Sequence, residues 1–99
     1  MLTTESKNQM PIRLTDERWA HILDEHGELA DLKNAILETV STPDRILAGG
    51  ADELLAIRKV ESGKWLVVVY KEQPIDGFII TDFLTRRATS LNRRQQLWP

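Results

Sequence analysis

The chain lacks cysteine, and it lacks any long run of apolar residues. Without cysteine, neither a disulfide framework nor a thiolate metal site can form. No segment approaches the roughly 20 apolar residues that a membrane-spanning helix needs, and residues 1–10 are too polar for a signal peptide. The 99 residues are enough for one modest hydrophobic core. We therefore expect a single-domain, soluble cytoplasmic protein that makes no contact with a membrane.

Several classes of enzyme are excluded because their motifs are missing. Gly49 and Gly50 stand alone, so there is no glycine-rich phosphate loop. His21 and His26 are five residues apart rather than the four that place two zinc ligands on one helix face. No serine lies in a nucleophile motif. We therefore expect no metal and no cofactor.

Charge is divided along the chain. Residues 1–82 contain all fifteen acidic residues and nine of the thirteen basic ones, a net charge of −6, whereas the remaining residues carry +4. These four basic residues are Arg86, Arg87, Arg93 and Arg94. Clustered arginines favour phosphates, since binding releases counterions from nucleic acid. A basic segment at residues 86–99 therefore predicts local RNA contact, although such arginines also serve solubility alone.

Two helices are predicted before any strand. Residues 1–11 have no periodicity and are expected to form a flexible leader, followed by a single domain over residues 12–99. Thr15 has the features of a helix N-cap, and Trp19, Ile22 and His26 follow at helical spacing. A second helix is predicted over Leu29 to Val40.

Three strands are predicted after the helices, over Glu53 to Val60, Trp65 to Lys71 and Phe78 to Leu84. The short connections between them require antiparallel neighbours, and the uninterrupted apolar run in the second strand indicates a central position. We therefore predict an α+β fold in the order α-α-β-β-β, with two N-terminal helices packed on a three- to four-stranded antiparallel sheet. The tail is expected to add a strand or a helix at Arg93 to Trp98.

The combined pattern resembles a known family. The segments that carry the resemblance are Arg13 to His26, Thr39 to Asp44, Leu54 to Arg58, Trp65 to Tyr70 and Gly77 to Thr85. They are similar to the small phage-associated nucleases of the barnase/EndoU/colicin/RelE-like superfamily (the BECR fold). This resemblance covers residues 12–85 and implies a metal-independent ribonuclease of toxin type, with RNA as substrate and a cognate antitoxin as partner. The matching polar positions are His21, His26, Arg58, Thr81 and Thr85.

The chemistry of these residues supports a site for RNA cleavage. Metal-free cleavage requires a base, an acid and a cation, and histidine serves as acid or base near neutral pH. His26 shares the apolar stripe of the first helix and is the first candidate; a buried, hydrogen-bonded structural histidine is the alternative. His21 is on the polar side of that helix, where a solvated side chain is the commoner outcome.

The strands supply the remaining candidates. Arg58 is charged on an otherwise apolar strand face, as a phosphate ligand or as an edge charge that prevents aggregation. Thr81 and Thr85 share one strand face and lead into Arg86 and Arg87, which we expect to guide substrate. Tyr70 is a further substrate-binding candidate, with a core tyrosine as the alternative.

Two hypotheses follow. The first is a ribonuclease in which His26 or His21, Arg58 and the two threonines converge on one concave surface. The second is a noncatalytic protein-interaction module related to such nucleases, in which the acidic helices or the arginine tail bind another protein.

Overall fold

Three α-helices and a seven-stranded sheet make up the protein, as seen in a computed structural model that describes all 99 residues. The helices are α1 (Asp16–Glu25), α2 (Lys33–Ser41) and α3 (Ala88–Asn92), and a 3-10 helix (Gly27–Leu29) follows α1. The strands are β1 (Leu2–Glu5), β2 (Pro11–Leu14), β3 (Arg45–Ala48), β4 (Leu54–Glu61), β5 (Lys64–Glu72), β6 (Gly77–Thr85) and β7 (Gln96–Trp98). None of the helices has the length and apolar character needed to cross a bilayer.

The first helix begins where the sequence predicts it. The Thr15 hydroxyl accepts a hydrogen bond from the Arg18 N–H at 3.1 Å, which satisfies one of the free donors of the first turn. The helix ends at Glu25, with His26 as its C-cap. The second helix is shorter than predicted, because the 3-10 helix and a turn occupy residues 27–32 before α2 begins.

The predicted antiparallel meander is present as β4, β5 and β6, with β5 at the centre of the sheet. Gly63, with a φ of 71°, makes the tight turn between β4 and β5. In β6, the register slips by one residue between the pairs Tyr70 with Ile79 and Val69 with Thr81. Ile80 is therefore the extra residue of a β-bulge, which changes the side of the sheet that each later residue faces.

The prediction of three or four strands is wrong, because the sheet has seven in the order β1-β2-β6-β5-β4-β3-β7. It is also mixed, since β2 runs parallel to β6 while all other pairs are antiparallel. The tail adds the strand β7 beside β3, after the short helix α3. Four strands of only three or four residues account for the difference.

Residues 1–11, expected as a flexible leader, instead contribute to the sheet. Strand β1 pairs with β2 in a hairpin whose loop is held by Glu72. The Glu72 carboxylate accepts hydrogen bonds from the Ser6 hydroxyl at 2.5 Å and from the Asn8 amide at 2.8 Å. The Thr4 hydroxyl also donates to the Leu37 carbonyl of α2 at 3.0 Å. These contacts tie the segment to the rest of the domain.

Two hydrophobic clusters lie on the two sides of the sheet. The larger cluster joins α1 and α2 to one side, which we call the helix face; its members include Ile22, Ile36 and Val68. The smaller cluster lies on the other side, which we call the open face, where Leu91 of α3 packs on Leu55 and Val67. Because α3 has only five residues, it covers less of the sheet than α1 and α2 do.

The two edges of the sheet approach each other. β1 and β7 are the outermost strands, yet Lys7 of the β1–β2 loop places its ammonium group 4.6 Å from the centre of the Trp98 ring in β7. A cation–π contact between opposite edges requires a strongly curled sheet. The curl wraps the sheet around α2, which lies against β1, β4 and β5.

Candidate functional site

The two threonines of β6 lie on the open face. Thr81 is opposite Val69 and Thr85 is opposite Trp65 in the register of β5 and β6, and both of these β5 residues pack on the open-face cluster. Directly opposed residues share a face of the sheet. The prediction that the two hydroxyls point the same way is therefore confirmed.

Aromatic and apolar side chains surround these hydroxyls. Trp65, Val69 and Phe83 are only partly buried, although they pack on the open-face cluster. Two aromatic rings that remain partly accessible beside hydroxyl groups form a surface on which nucleic-acid bases can stack.

Basic side chains border this surface. Arg45 is opposite Ile57, and Lys59 is opposite Trp65, so both lie on the open face. Arg86 and Arg87 follow β6 directly and are exposed, and the Arg87 N–H donates to the Thr85 hydroxyl at 3.1 Å. The open face therefore combines partly buried aromatic rings with a positively charged border.

A carboxylate lies beyond this surface, at the β4–β5 turn: Glu61 is opposite Lys64, the neighbour of Trp65 in β5, and therefore turns to the helix-face side of the sheet end. Glu61 Oε1 lies 3.6 Å from Arg86 Nη2 and 3.5 Å from Lys64 Nζ. All three groups are at least partly accessible to solvent. The arrangement brings a proton acceptor and two cations, which can neutralise a phosphate, to the same end of the sheet.

His26 lies on the helix face, away from the threonines. Its side chain is 31% exposed, and Nδ1 is 3.6 Å from Glu28 Oε2. Beneath it is Asp82, which is opposite Val68 of the helix-face cluster and is fully buried. Neither carboxylate oxygen of Asp82 accepts a hydrogen bond.

The pKa of Asp82 is raised to about 7, chiefly by burial; nearby His26 opposes this rise and Glu28 adds to it. Carboxyl groups with such pKa values occur at functional sites and also in purely structural positions. The surroundings are unfavourable for RNA, since residues 16–32 carry six acidic residues and one arginine. Repulsion between like charges keeps phosphates from this side of the molecule.

Arg58 also lies on the helix face, but it is engaged in structural contacts. Its register partner is Leu66 of the helix-face cluster. Its Nη1 donates to the Thr42 hydroxyl at 3.1 Å and lies 3.5 Å from Glu38 Oε2. The guanidinium group therefore ties β4 to the end of α2, which explains a charge on an apolar strand face.

The two other predicted residues differ in accessibility. His21 is exposed, and its Nε2 lies 2.5 Å from Glu25 Oε1. It lines a depression of about 310 Å³ together with Thr15, Glu17 and Arg18. Tyr70 is fully buried, and its hydroxyl has no hydrogen-bond partner. Burial, with a smaller contribution from Glu72, raises its pKa. Tyr70 is thus unavailable as a base-stacking residue in this conformation.

The predicted convergence on one surface does not occur. His26 and Arg58 lie on the helix face, whereas Thr81 and Thr85 lie on the open face with the sheet between the two pairs. Asp82 was not among the predicted site residues, because a lone acidic residue in an apolar strand is normally solvated. The only sequence feature that could have placed Lys59 and Phe83 on this surface is the alternation of side chains along their strands.

Comparisons with known proteins add no relative: no family model, no curated protein and no solved structure matches the chain. The resemblance to the nuclease superfamily therefore stays a prediction from the residues. No group of three or more histidine, cysteine, aspartate or glutamate side chains is arranged to hold a metal ion.

Proposed function

We propose that this protein is a metal-independent ribonuclease that takes single-stranded RNA on its open face. One observation carries the proposal. The partly accessible rings of Trp65 and Phe83 lie beside Thr81 and Thr85, and basic side chains surround this group. Stacking of bases on aromatic rings and phosphate contacts to cations are the two interactions on which single-strand binding depends. The helix face is acidic instead, because residues 16–32 carry six acidic residues and one arginine.

Within this proposal, the RNA strand leaves the open face over the β4–β5 turn, and the proton chemistry belongs to Glu61 at that turn rather than to His26. The Glu61 carboxylate takes the proton of the 2′-hydroxyl, whose oxygen bonds to the adjacent phosphorus while the bond from phosphorus to the 5′-oxygen breaks. The adjacent Arg86 stabilises the charge that develops on phosphorus. Their 3.6 Å separation supports this pairing. The leaving oxygen takes its proton from solvent, since the β4–β5 turn is exposed. As the resemblance implies, the cell would need an antitoxin that covers this face.

The test is cleavage of a labelled single-stranded RNA in the presence of a chelator. We expect Glu61→Gln to lower the cleavage rate about 100-fold, the usual scale for a positioned base, and His26→Gln to leave it within about twofold. Glu38→Gln is the matched control, because that carboxylate also contacts an arginine but lies at the end of α2. Loss of cleavage in a folded His26→Gln variant, with Glu61→Gln active, would overturn the proposed site.

A second candidate is a noncatalytic interaction module. It is favoured by one observation, namely that the histidines and the threonines of the predicted site lie on opposite faces of the sheet. A folded wild-type protein that binds RNA or a protein partner but cleaves no RNA, after any inhibitory partner has been removed, would support this module. Growth arrest on induced expression, relieved by Glu61→Gln, would support the ribonuclease.

A further inference from the structure

A buried carboxyl group lies under the junction of α1 and the 3-10 helix without any hydrogen-bond partner. Asp82 is fully inaccessible to solvent, and both of its carboxylate oxygens are unpaired. Nearly all buried polar side chains in native proteins are paired. The proposed ribonuclease site lies on the other face and does not use this group, so its burial requires a separate explanation.

His26 connects the two helical elements above Asp82. Its N–H donates to the Ile22 carbonyl at 2.7 Å, which closes α1, and its carbonyl accepts from the Leu29 N–H at 3.0 Å, which begins the 3-10 helix. The His26 side chain is also close enough to Asp82 to lower the pKa of that carboxyl. A change in the charge of Asp82 therefore acts directly on the residue that holds the junction together.

Few other polar groups face Asp82. The charged groups that act on it are His26 and Glu28, both from the junction. Tyr70, whose hydroxyl is also unpaired, lies on the same face of β5. The neighbours on the same face of β5 and β6 are otherwise apolar: Leu66, Val68, Ile79 and Leu84. The remaining charged residues of α1 are exposed or half-exposed: Asp16, Glu17, Arg18, His21, Asp24 and Glu25. From β2, Arg13 forms an ion pair with Asp76 and is paired in register with Phe78.

We propose that Asp82 is a proton-operated switch: its neutral form keeps the α1–3-10 junction closed, and its ionised form opens residues 26–29 to water. An ionised carboxylate in this position would meet no N–H donor in the closed arrangement, and the nearby Glu28 would repel it. Water entering at the half-exposed His26 is the shortest route to solvation, because Val68 and the rest of the sheet close the other side.

The direction of the pH effect follows from linkage. Burial raises the pKa of Asp82 from 3.8 to about 7 in the closed form. Opening restores the ordinary pKa of Asp82. The equilibrium constant for opening therefore rises about tenfold per pH unit between pH 3.8 and about pH 7, and it is constant above about pH 7. The junction is therefore most firmly closed in acid and most open at and above neutral pH.

Amide hydrogen exchange from pH 5 to 8, corrected for intrinsic rates, tests the switch. The reporters are the N–H groups of Leu29, Ala30 and Leu32, which bond within the junction, and Val67 reports on global unfolding. We expect the three reporter amides to exchange with a lower free energy of opening than the Val67 amide. Their protection factors should fall about tenfold per pH unit up to about pH 7 and stay constant above it.

The variants identify the titrating group. Asp82→Leu should remove the pH slope of the junction amides, and Asp82→Asn provides the same test should the leucine variant fail to fold. His26→Gln should keep the slope. The switch is overturned if the junction amides open only together with Val67, if protection does not change with pH, or if the slope persists without the Asp82 carboxyl.

Discussion

At the scale of single residues, Tyr70 has a structural role in the core rather than a role in RNA binding. Its ring belongs to the helix-face cluster, whereas its buried hydroxyl has no partner. An unpaired buried hydroxyl costs roughly 1–3 kcal/mol, because it loses its hydrogen bonds to water. Tyr70→Phe should therefore leave the free energy of unfolding unchanged or raise it by about 1 kcal/mol, as measured by urea denaturation.

RNA binding by Tyr70→Phe should equal that of the wild type, since the side chain is inaccessible. Tyr70→Ala serves as the contrasting variant, with an expected loss of about 3–5 kcal/mol by analogy with large aromatic truncations. A destabilised Tyr70→Phe, or one with weakened RNA binding, would mean that the hydroxyl makes a contact absent from the structure.

At the scale of elements, the N-terminal hairpin is the clearest departure from expectation. β1 joins the sheet through β2, and its loop reaches both Glu72 and Trp98. Deleting residues 1–8 should lower the free energy of unfolding by about 2 kcal/mol or more, because at least two side-chain hydrogen bonds and a cation–π contact are lost at roughly 0.5–1.5 kcal/mol each.

A point substitution distinguishes the loss of the Lys7–Trp98 contact from the effect of shortening the chain. Lys7→Met keeps the aliphatic stem but removes the charge above Trp98, with an expected loss of about 0.5–1 kcal/mol. If deletion of residues 1–8 has no effect on stability, the original expectation of a flexible leader is correct.

Some elements were predictable because their local pattern is strong. Strands β4, β5 and β6 differ from the predicted bounds by one residue at each end, since branched and aromatic residues fill them between turn residues. Strands β1, β2, β3 and β7 are too short to show alternation, and each depends on pairing with a distant segment. Their existence is a property of the tertiary fold rather than of local sequence.

The candidate site was predictable only in part, for a related reason. The shared face of Thr81 and Thr85 follows from strand alternation, and it is confirmed. The face covered by the helices does not follow from alternation, because the bulge at Ile80 reverses the orientation of every later residue of β6. In an unbulged strand, Thr81 would share the face of Ile79, which is the helix face where His26 lies.

At the scale of the whole molecule, the division of charge along the sequence becomes a division between surfaces. The segment with six acids and one arginine, residues 16–32, forms α1 and the 3-10 helix. The arginines of residues 86–99 extend from the end of β6 through α3 to the approach to β7. A net charge of −2 therefore conceals a dipolar protein, which would orient an approaching RNA toward the basic side.

The salt dependence of RNA binding tests this orientation. Replacing both Arg86 and Arg87 with glutamine removes two phosphate contacts, so the slope of log K against log salt should become shallower by about 1.4 for a single strand. The control replaces Arg18 and Lys33, which lie on α1 and α2, and removes the same net charge. That control should leave the slope unchanged, as measured by fluorescence anisotropy of a labelled RNA across a salt series. Equal effects of the two double variants would mean that RNA responds to net charge alone, with no located binding face.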